Sequence, residues 1–177
     1  MLALLAPKDA RYVRPMRSAP SIRRALPSEA GALTELALRS KAHWGYDAAF
    51  MQMARPYMVI APETVEHGTS FLAESEGEIL GFYILAIEDG TPTLRDLWID
   101  PAVLRTGIGS ALWAHMIGQA ITLGYRTVRI VSEPKAEGFY LRVGARRTGL
   151  HESEAVPGRM LPVMEFEPDQ ERPEVEF

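Results

Sequence analysis

Arg105-Thr106-Gly107-Ile108-Gly109-Ser110 is the stretch whose residue types could hold a phosphorylated ligand. Glycines without Cβ let a ligand approach the backbone closely. The apolar positions that follow, Leu112, Trp113, Met116 and Ile117, predict a helix that begins at the glycines. Free N–H groups of a first helical turn, together with the macrodipole, favour a phosphate. Ahead of the loop, Leu94 to Ile99 reads as a strand, ended by Asp100-Pro101 because proline cannot donate to a ladder. Two nucleotide motifs are excluded. The spacing and lysine of a P-loop are missing, and Leu112 stands where a dinucleotide fingerprint needs its third glycine. A strand–loop–GxG–helix unit also fits a relaxed turn with no ligand, so the rest of the chain has to decide.

Other chemistries drop out on composition. The chain has no cysteine, which removes disulfides, thiolate metal sites and a cysteine nucleophile. His43, His67, His115 and His151 show no ligand spacing, so no metal site is expected. A formal charge of −4 argues against a nucleic-acid partner, which needs a basic face. With 47% hydrophobic and 24% charged residues over 177 positions, the chain can form one globular core. No apolar run reaches the ~18 residues of a membrane span. The opening Leu2–Leu5 is short and has no basic residues before it, which makes a poor signal peptide. A cytoplasmic protein without membrane contact is the expectation.

The elements that must position the loop follow from periodicity and turn chemistry. Residues 1–20 read as an N-terminal extension. Ser21 to Leu26 is a plausible strand, and Pro27-Ser28-Glu29 starts a helix that runs to about Ala42. A break at Lys41–Asp47 precedes a second helix from Ala48, with Asp47 as its cap. Pro62-Glu63-Thr64 and Gly68-Thr69 are expected loops. Strands at Ser70–Ser75, Ile79–Ile87 and Leu94–Ile99, joined by tight turns, predict an antiparallel meander. Leu123-Gly124-Tyr125 closes the central helix, and Thr127–Val131 follows as a buried strand. A crossover through a helix makes that strand parallel to Leu94–Ile99. Pro134 to Arg142 predicts a short helix, and two more strands are expected around Ala145–His151 and Met160–Glu167. The acidic, proline-punctuated segment 168–177 reads as a disordered tail.

Three landmarks stand in order: the strand Leu94–Ile99, the loop Leu104-Arg105-Thr106-Gly107-Ile108-Gly109, and Pro134-Lys135-Ala136-Glu137-Gly138-Phe139-Tyr140-Leu141-Arg142-Val143-Gly144-Ala145. Together they resemble the GNAT superfamily of acyl-CoA-dependent N-acetyltransferases, over residues 21–167. The loop is similar to the family's [QR]xxGxG[AG], with Leu104 at its first position and Arg105 one place later. The second segment resembles PNAxxFYxxxGA, with Lys135 in place of the usual asparagine. The resemblance implies an α+β fold: a mixed, mostly antiparallel sheet, helices on both faces and splayed central parallel strands. It implies acetyl-CoA as co-substrate, its pyrophosphate on the amides of Arg105 to Ser110 and its pantetheine arm beside Leu97, Trp98 and Ile99. Lys135, Ala136 and Phe139 complete the expected CoA contacts.

The same resemblance assigns the chemistry. Tyr140 occupies the position of the general acid for the leaving thiolate, and a tyrosine of pKa near ~10 matches a thiolate in basicity. Asp96 stands where the family often carries an acidic residue and is the candidate base, beside its alternative role as an ion-paired strand residue next to Arg95. Trp44, Tyr46 and Asp47 fall in the region that lines the acceptor site, where aromatics flank a substrate or plug a helix junction. His43 is read as a packing or surface residue rather than a catalytic one, and Glu74, on the strand entering the meander, is a further candidate base. The segment Val156 to Pro162 recurs in one bacterial subgroup, and its Arg159 has two readings: contact with an acidic acceptor, or with an internal carboxylate. The expected activity is direct acetyl transfer to a primary amine of a small molecule or peptide, with a catalytically weak CoA-binding regulatory module as the alternative. A homodimer, aided by Leu2–Leu5, is a further expectation.

Overall fold

The structure is a computed structural model that describes residues 19–168. The expected N-terminal extension up to Ser18, its leader Leu2–Leu5, and the tail beyond Pro168 lie outside the described residues.

Seven strands form one sheet: β1 (Ser21–Arg24), β2 (Thr69–Ser75), β3 (Glu78–Glu88), β4 (Thr91–Ile99), β5 (Val128–Val131), β6 (Arg146–Glu152) and β7 (Met160–Phe166). Their spatial order is β1-β2-β3-β4-β5-β7-β6. Every neighbouring pair is antiparallel except β4 and β5, which run parallel. Sequential hairpins build the first half, as the tight turns imply: Glu76-Gly77 and Asp89-Gly90 both take positive φ, the primed-turn geometry that matches strand twist. The parallel pair arises because a helix, α4 (Ile108–Thr122), carries the chain back between β4 and β5.

Helices cover both faces. On one, α4 and α5 (Glu137–Arg142) bury Leu112, Trp113, Met116 and Tyr140 against Tyr83, Leu85, Leu94 and Ile130. On the other, α1 (Ala30–Ala42) and α3 (Pro62–His67) bury Leu33, Leu36 and Val65 against Leu72, Phe82 and Ile84. The alternation Phe82, Tyr83, Ile84, Leu85 along β3 therefore serves two cores, which is why that strand reads as a continuous apolar run. A short helix, α2 (Ala48–Ala54), follows the break after α1, and Asp47 caps it by accepting from the Phe50 N–H at 2.8 Å.

The sequence expectation of a loop fails in one stretch. Pro62-Glu63-Thr64 opens α3 rather than a loop. Proline at the first helical position has its φ already set, and Val65 repays the turn by burying in the α1 core. The first strand is also shorter than expected, ending at Arg24, and Glu29 reaches back to accept from the Leu26 N–H at 2.8 Å.

Gly81 of β3 stands opposite Ile99 of β4. A Cβ there would meet the Trp98 carbonyl oxygen at 2.8 Å and the Ile99 side chain at 2.8 Å. The carbonyl belongs to the backbone and cannot swing away. Gly81→Ala is expected to destabilise the fold by ~1–3 kcal/mol, read as a lower urea midpoint at unchanged slope.

Candidate active site

β4 and β5 are in register at a single pair, Thr93 and Arg129. Beyond Thr93 the two strands part, so the β5-facing edge of β4 from Leu94 to Ile99 has no strand partner among the described residues. The parting opens a cleft of about 1150 Å³. Its walls include Leu97, Trp98 and Ile99 from β4, Ile130 and Val131 from β5, and Phe139 and Tyr140 from α5. One end reaches the loop before α4, at Leu104 to Gly107, Gly109 and Ser110. The other reaches Ser40, His43 and Trp44 at the end of α1. The cleft thus runs through the sheet from one face to the other.

The loop end has the geometry of an anion cradle. Arg105 and Gly107 both adopt positive φ, 65° and 95°, which turns successive amides toward one side before α4 begins. Gly107 is the N-cap of α4 and makes no side-chain cap bond, so the first N–H groups of that long helix are left for a ligand. Gly109 keeps the cleft wall low: a Cβ there would only touch Ile99 and Phe139. Ile108 does not line the cleft; it turns into the core and anchors the helix start.

Tyr140 lines the cleft, and Asp96 sits close enough for its charge to act on Tyr140 without itself lining the cleft wall; the two are positioned by different devices. Tyr140 packs edge-on against Trp113 and Phe139, is 6% exposed, and its Oη has no hydrogen-bond partner among the described residues. Burial, and then the nearby Asp96 carboxylate, push its hydroxyl well above the ordinary range, so it holds its proton at any physiological pH. Asp96 owes its direction to a bulge. Leu94 is opposite Leu85 and Asp96 opposite Ile84, which leaves Arg95 as an extra residue in β4. The bulge resets the alternation, so Leu94 joins the α4 core while Asp96 turns to the α1 face. There the Trp98 indole N–H donates to its Oδ1 at 2.8 Å, and Arg95 approaches at 3.5 Å. Burial raises the Asp96 carboxyl, against the opposing pull of Trp98 and Arg95.

The far end of the cleft is held by a polar cluster that spacing did not reveal. Glu133, at the end of β5, accepts from Lys41 of α1 at 2.8 Å and from Arg159 before β7 at 2.7 Å. Tyr46 donates to the same carboxylate and accepts from Arg159 at 2.6 Å. Burial alone would raise the Glu133 carboxyl, but the hydrogen bonds from Lys41, Tyr46 and Arg159 outweigh it and hold it below the ordinary range. Tyr46 is pushed up to about 12, first by burial and then by the Glu133 charge. Arg159 therefore meets an internal carboxylate, which separates the two readings left open by the sequence. Glu133 and Lys41 were missed because they lie 92 residues apart and neither stands in a recognisable motif.

Of the other expected residues, Trp44, Lys135 and Ala136 line the cleft. Tyr46 stands behind that wall, stacked on Phe50 at 4.0 Å, and Asp47 caps α2. Glu74 is tied to Arg23 at 2.8 Å, away from the cleft. Among the described residues no group of three or more acidic or histidine side chains is placed to hold a metal ion, and no helix is long and apolar enough to cross a membrane.

Comparison with known proteins gives a consistent picture. A family model described as the Acetyltransferase (GNAT) family matches residues 33–145. No curated protein matches the chain. Among solved structures, a GCN5-related N-acetyltransferase from Rhodopseudomonas palustris superposes with a TM-score of 0.74 at 15% identity, covering 87% of this chain and 98% of its own. PaiA N-acetyltransferase from Thermoplasma acidophilum, solved in complex with coenzyme A, gives 0.69 at 16% identity, over 85% of this chain and 99% of its own. YncA from Salmonella typhimurium, a structure with acetyl-CoA, gives 0.62 at 19% identity, over 87% and 96%.

The Glu133 cluster sets a pH-dependent stability. Its folded pKa lies below the ordinary carboxylate value, so its contribution is fully present above that value and is lost as pH falls through the folded one. Glu133→Gln removes the charge that Lys41 and Arg159 share at 8% exposure. It is expected to cost ~3–5 kcal/mol near neutral pH and to flatten the acid-side loss of stability in denaturation series.

Proposed function

The chain belongs to the GNAT acetyltransferase family, and from that premise we propose that it transfers the acetyl group of acetyl-CoA directly to a primary amine, with Tyr140 as general acid. One observation carries this reading. A single cleft joins a cradle of free amides at the start of α4 to a buried tyrosine hydroxyl, along a strand edge, and neither the hydroxyl nor the edge has a partner among the described residues.

The residues fit acetyl-CoA on their own chemistry. The amides from Arg105 to Ser110 would take the pyrophosphate, with Arg105 beside them as a cation. The open edge of β4 at Leu97 to Ile99 offers N–H and C=O groups that a pantetheine arm can pair as an added strand would. Phe139 and Ala136 supply apolar wall. Acetyl-CoA brings the activated acetyl group; the protein brings position and protons.

Tyr140 holds a proton at Oη for the leaving thiolate, and burial keeps it from being lost to solvent beforehand. Asp96, raised by burial, is placed on the α1 face to take a proton from an incoming ammonium, directly or through water. Free backbone N–H groups on the β4 edge near Leu97 and Trp98 are suited to polarise a carbonyl. No cysteine exists to carry an acyl group, so transfer is direct.

Tyr140→Phe is expected to lower kcat by ~10²-fold or more while leaving the thermal shift given by acetyl-CoA intact. Equal turnover in the variant, or no rise in Tm with a large excess of acetyl-CoA, would sink the proposal. The acid limb of the kcat/KM profile is expected above the ordinary carboxylate range, because Asp96 must lose its proton to act and burial delays that loss. Asp96→Asn should abolish that limb.

A further inference from the structure

We propose that the acceptor is a small amino acid, whose carboxylate pairs with the Lys135 ammonium at the α1 end of the cleft, in place of the CoA contact expected for Lys135 from its position in the sequence. The inference rests on the acetyl-transfer reading and names the acceptor class within it.

The cleft has two ends, and the amide cradle of α4 takes one of them. An amine must then arrive from the other, past Ser40, His43 and Trp44. Charge at that end is lopsided. Lys41, Lys135 and Arg159 gather around the ring of Tyr46, at 5.8, 4.6 and 5.1 Å from its centroid. Lys41 and Arg159 share the Glu133 carboxylate. Lys135 is bound differently. Its Nζ donates to the Trp44 carbonyl and lies over an aromatic face, with no carboxylate partner among the described residues. An ammonium has three N–H donors, and the bond to Trp44 leaves two for a ligand. Lys135 is exposed and lines the cleft, so those donors are within reach of an acceptor.

The aromatic surface that could have held a cationic tail is already occupied by the chain's own cations. Lys41 stands within 5.9 Å of Tyr46, Phe50 and Trp98, and Arg159 lies over Tyr46 and Phe50. A polyamine would meet like charge there. An α-amino acid meets the reverse: Tyr140 on the cleft wall, with the Asp96 carboxylate near it, for its amine, and Lys135 on the same wall for its carboxylate. Size follows from the links across this end. Lys135 to Trp44, Tyr46 to Glu133 and Arg159 to Tyr46 tie the α1–α2 junction to the segments flanking β5 and β7. A tied wall limits how far this end can widen for an extended peptide.

The test follows free CoA release from the full-length chain with acetyl-CoA and matched acceptors: free amino acids, their C-terminal amides, short peptides and spermidine. The acids are expected to exceed their amides in kcat/KM by about tenfold, with peptides and spermidine poorer. Lys135→Ala should bring the acid-to-amide ratio close to one, Lys135→Arg should keep it, and Lys135→Glu should invert it, with melting curves showing each variant folded. Amides, peptides or spermidine matching the acids overturns the inference, as does a ratio indifferent to Lys135 or no turnover on any acid. Turnover on other amines without an acid preference removes this inference alone. Loss of acetyl-CoA binding as well removes the acetyl-transfer reading beneath it.

Discussion

The parting of β4 from β5 is the constraint on which the rest of the molecule depends. Two parallel strands joined by a helix would ordinarily zip along their length, and here they meet at one pair, Thr93 and Arg129. Every lost ladder bond leaves a donor or an acceptor that must be satisfied elsewhere. Water or an extended ligand can do that; a packed core cannot. The remaining sheet supports the gap: β3 pairs β4 over its whole length, and β7 pairs β5 through all four of its residues. Helices on both faces keep the two halves from drifting apart or closing up.

The bulge at Arg95 is the second device, and it works at the same place. A one-residue slip in a strand exchanges faces for everything beyond it. Before the slip, Leu94 belongs to the α4 core; after it, Asp96 and Trp98 face α1 and Leu97 faces the α4 core. A carboxylate is thereby delivered to the α1 face without breaking the core that holds its strand. Burial separates the two acids of this region. Asp96, with one indole donor and a loosely held arginine, is pushed up; Glu133, with Lys41, Tyr46 and Arg159 bonded to it, is held down. The first is the acid whose proton the proposed transfer would use, and the second fixes a wall.

Much of this was legible in the residues. Glycines at 107 and 109, the strand before them and the helix after them, and Phe139-Tyr140 downstream all stood where the sequence placed them, because each is a local signal of turn, period or cap. Local signals also explain the one misjudged stretch: Pro62 reads as a breaker from sequence, yet at a first helical position it is a starter, and only the core beneath Val65 decides between these. Arg159 shows the same limit at long range. Its chemistry invited either a substrate or an internal acid, and the answer depended on where the β6–β7 loop returned.

The sequence by itself determined the elements, the glycine cradle, the order of the meander and the tyrosine on the short helix, since these rest on neighbours in the chain. Only the tertiary structure decided which way Asp96 turns, that Glu133 gathers Lys41, Tyr46 and Arg159, and that Lys135 reaches the Trp44 carbonyl. These depend on a bulge register, on strand spacing and on loops returning across the sheet. No pattern of residue types encodes them, because the groups that meet are tens of residues apart and their charges are weighed only once water has been removed from around them.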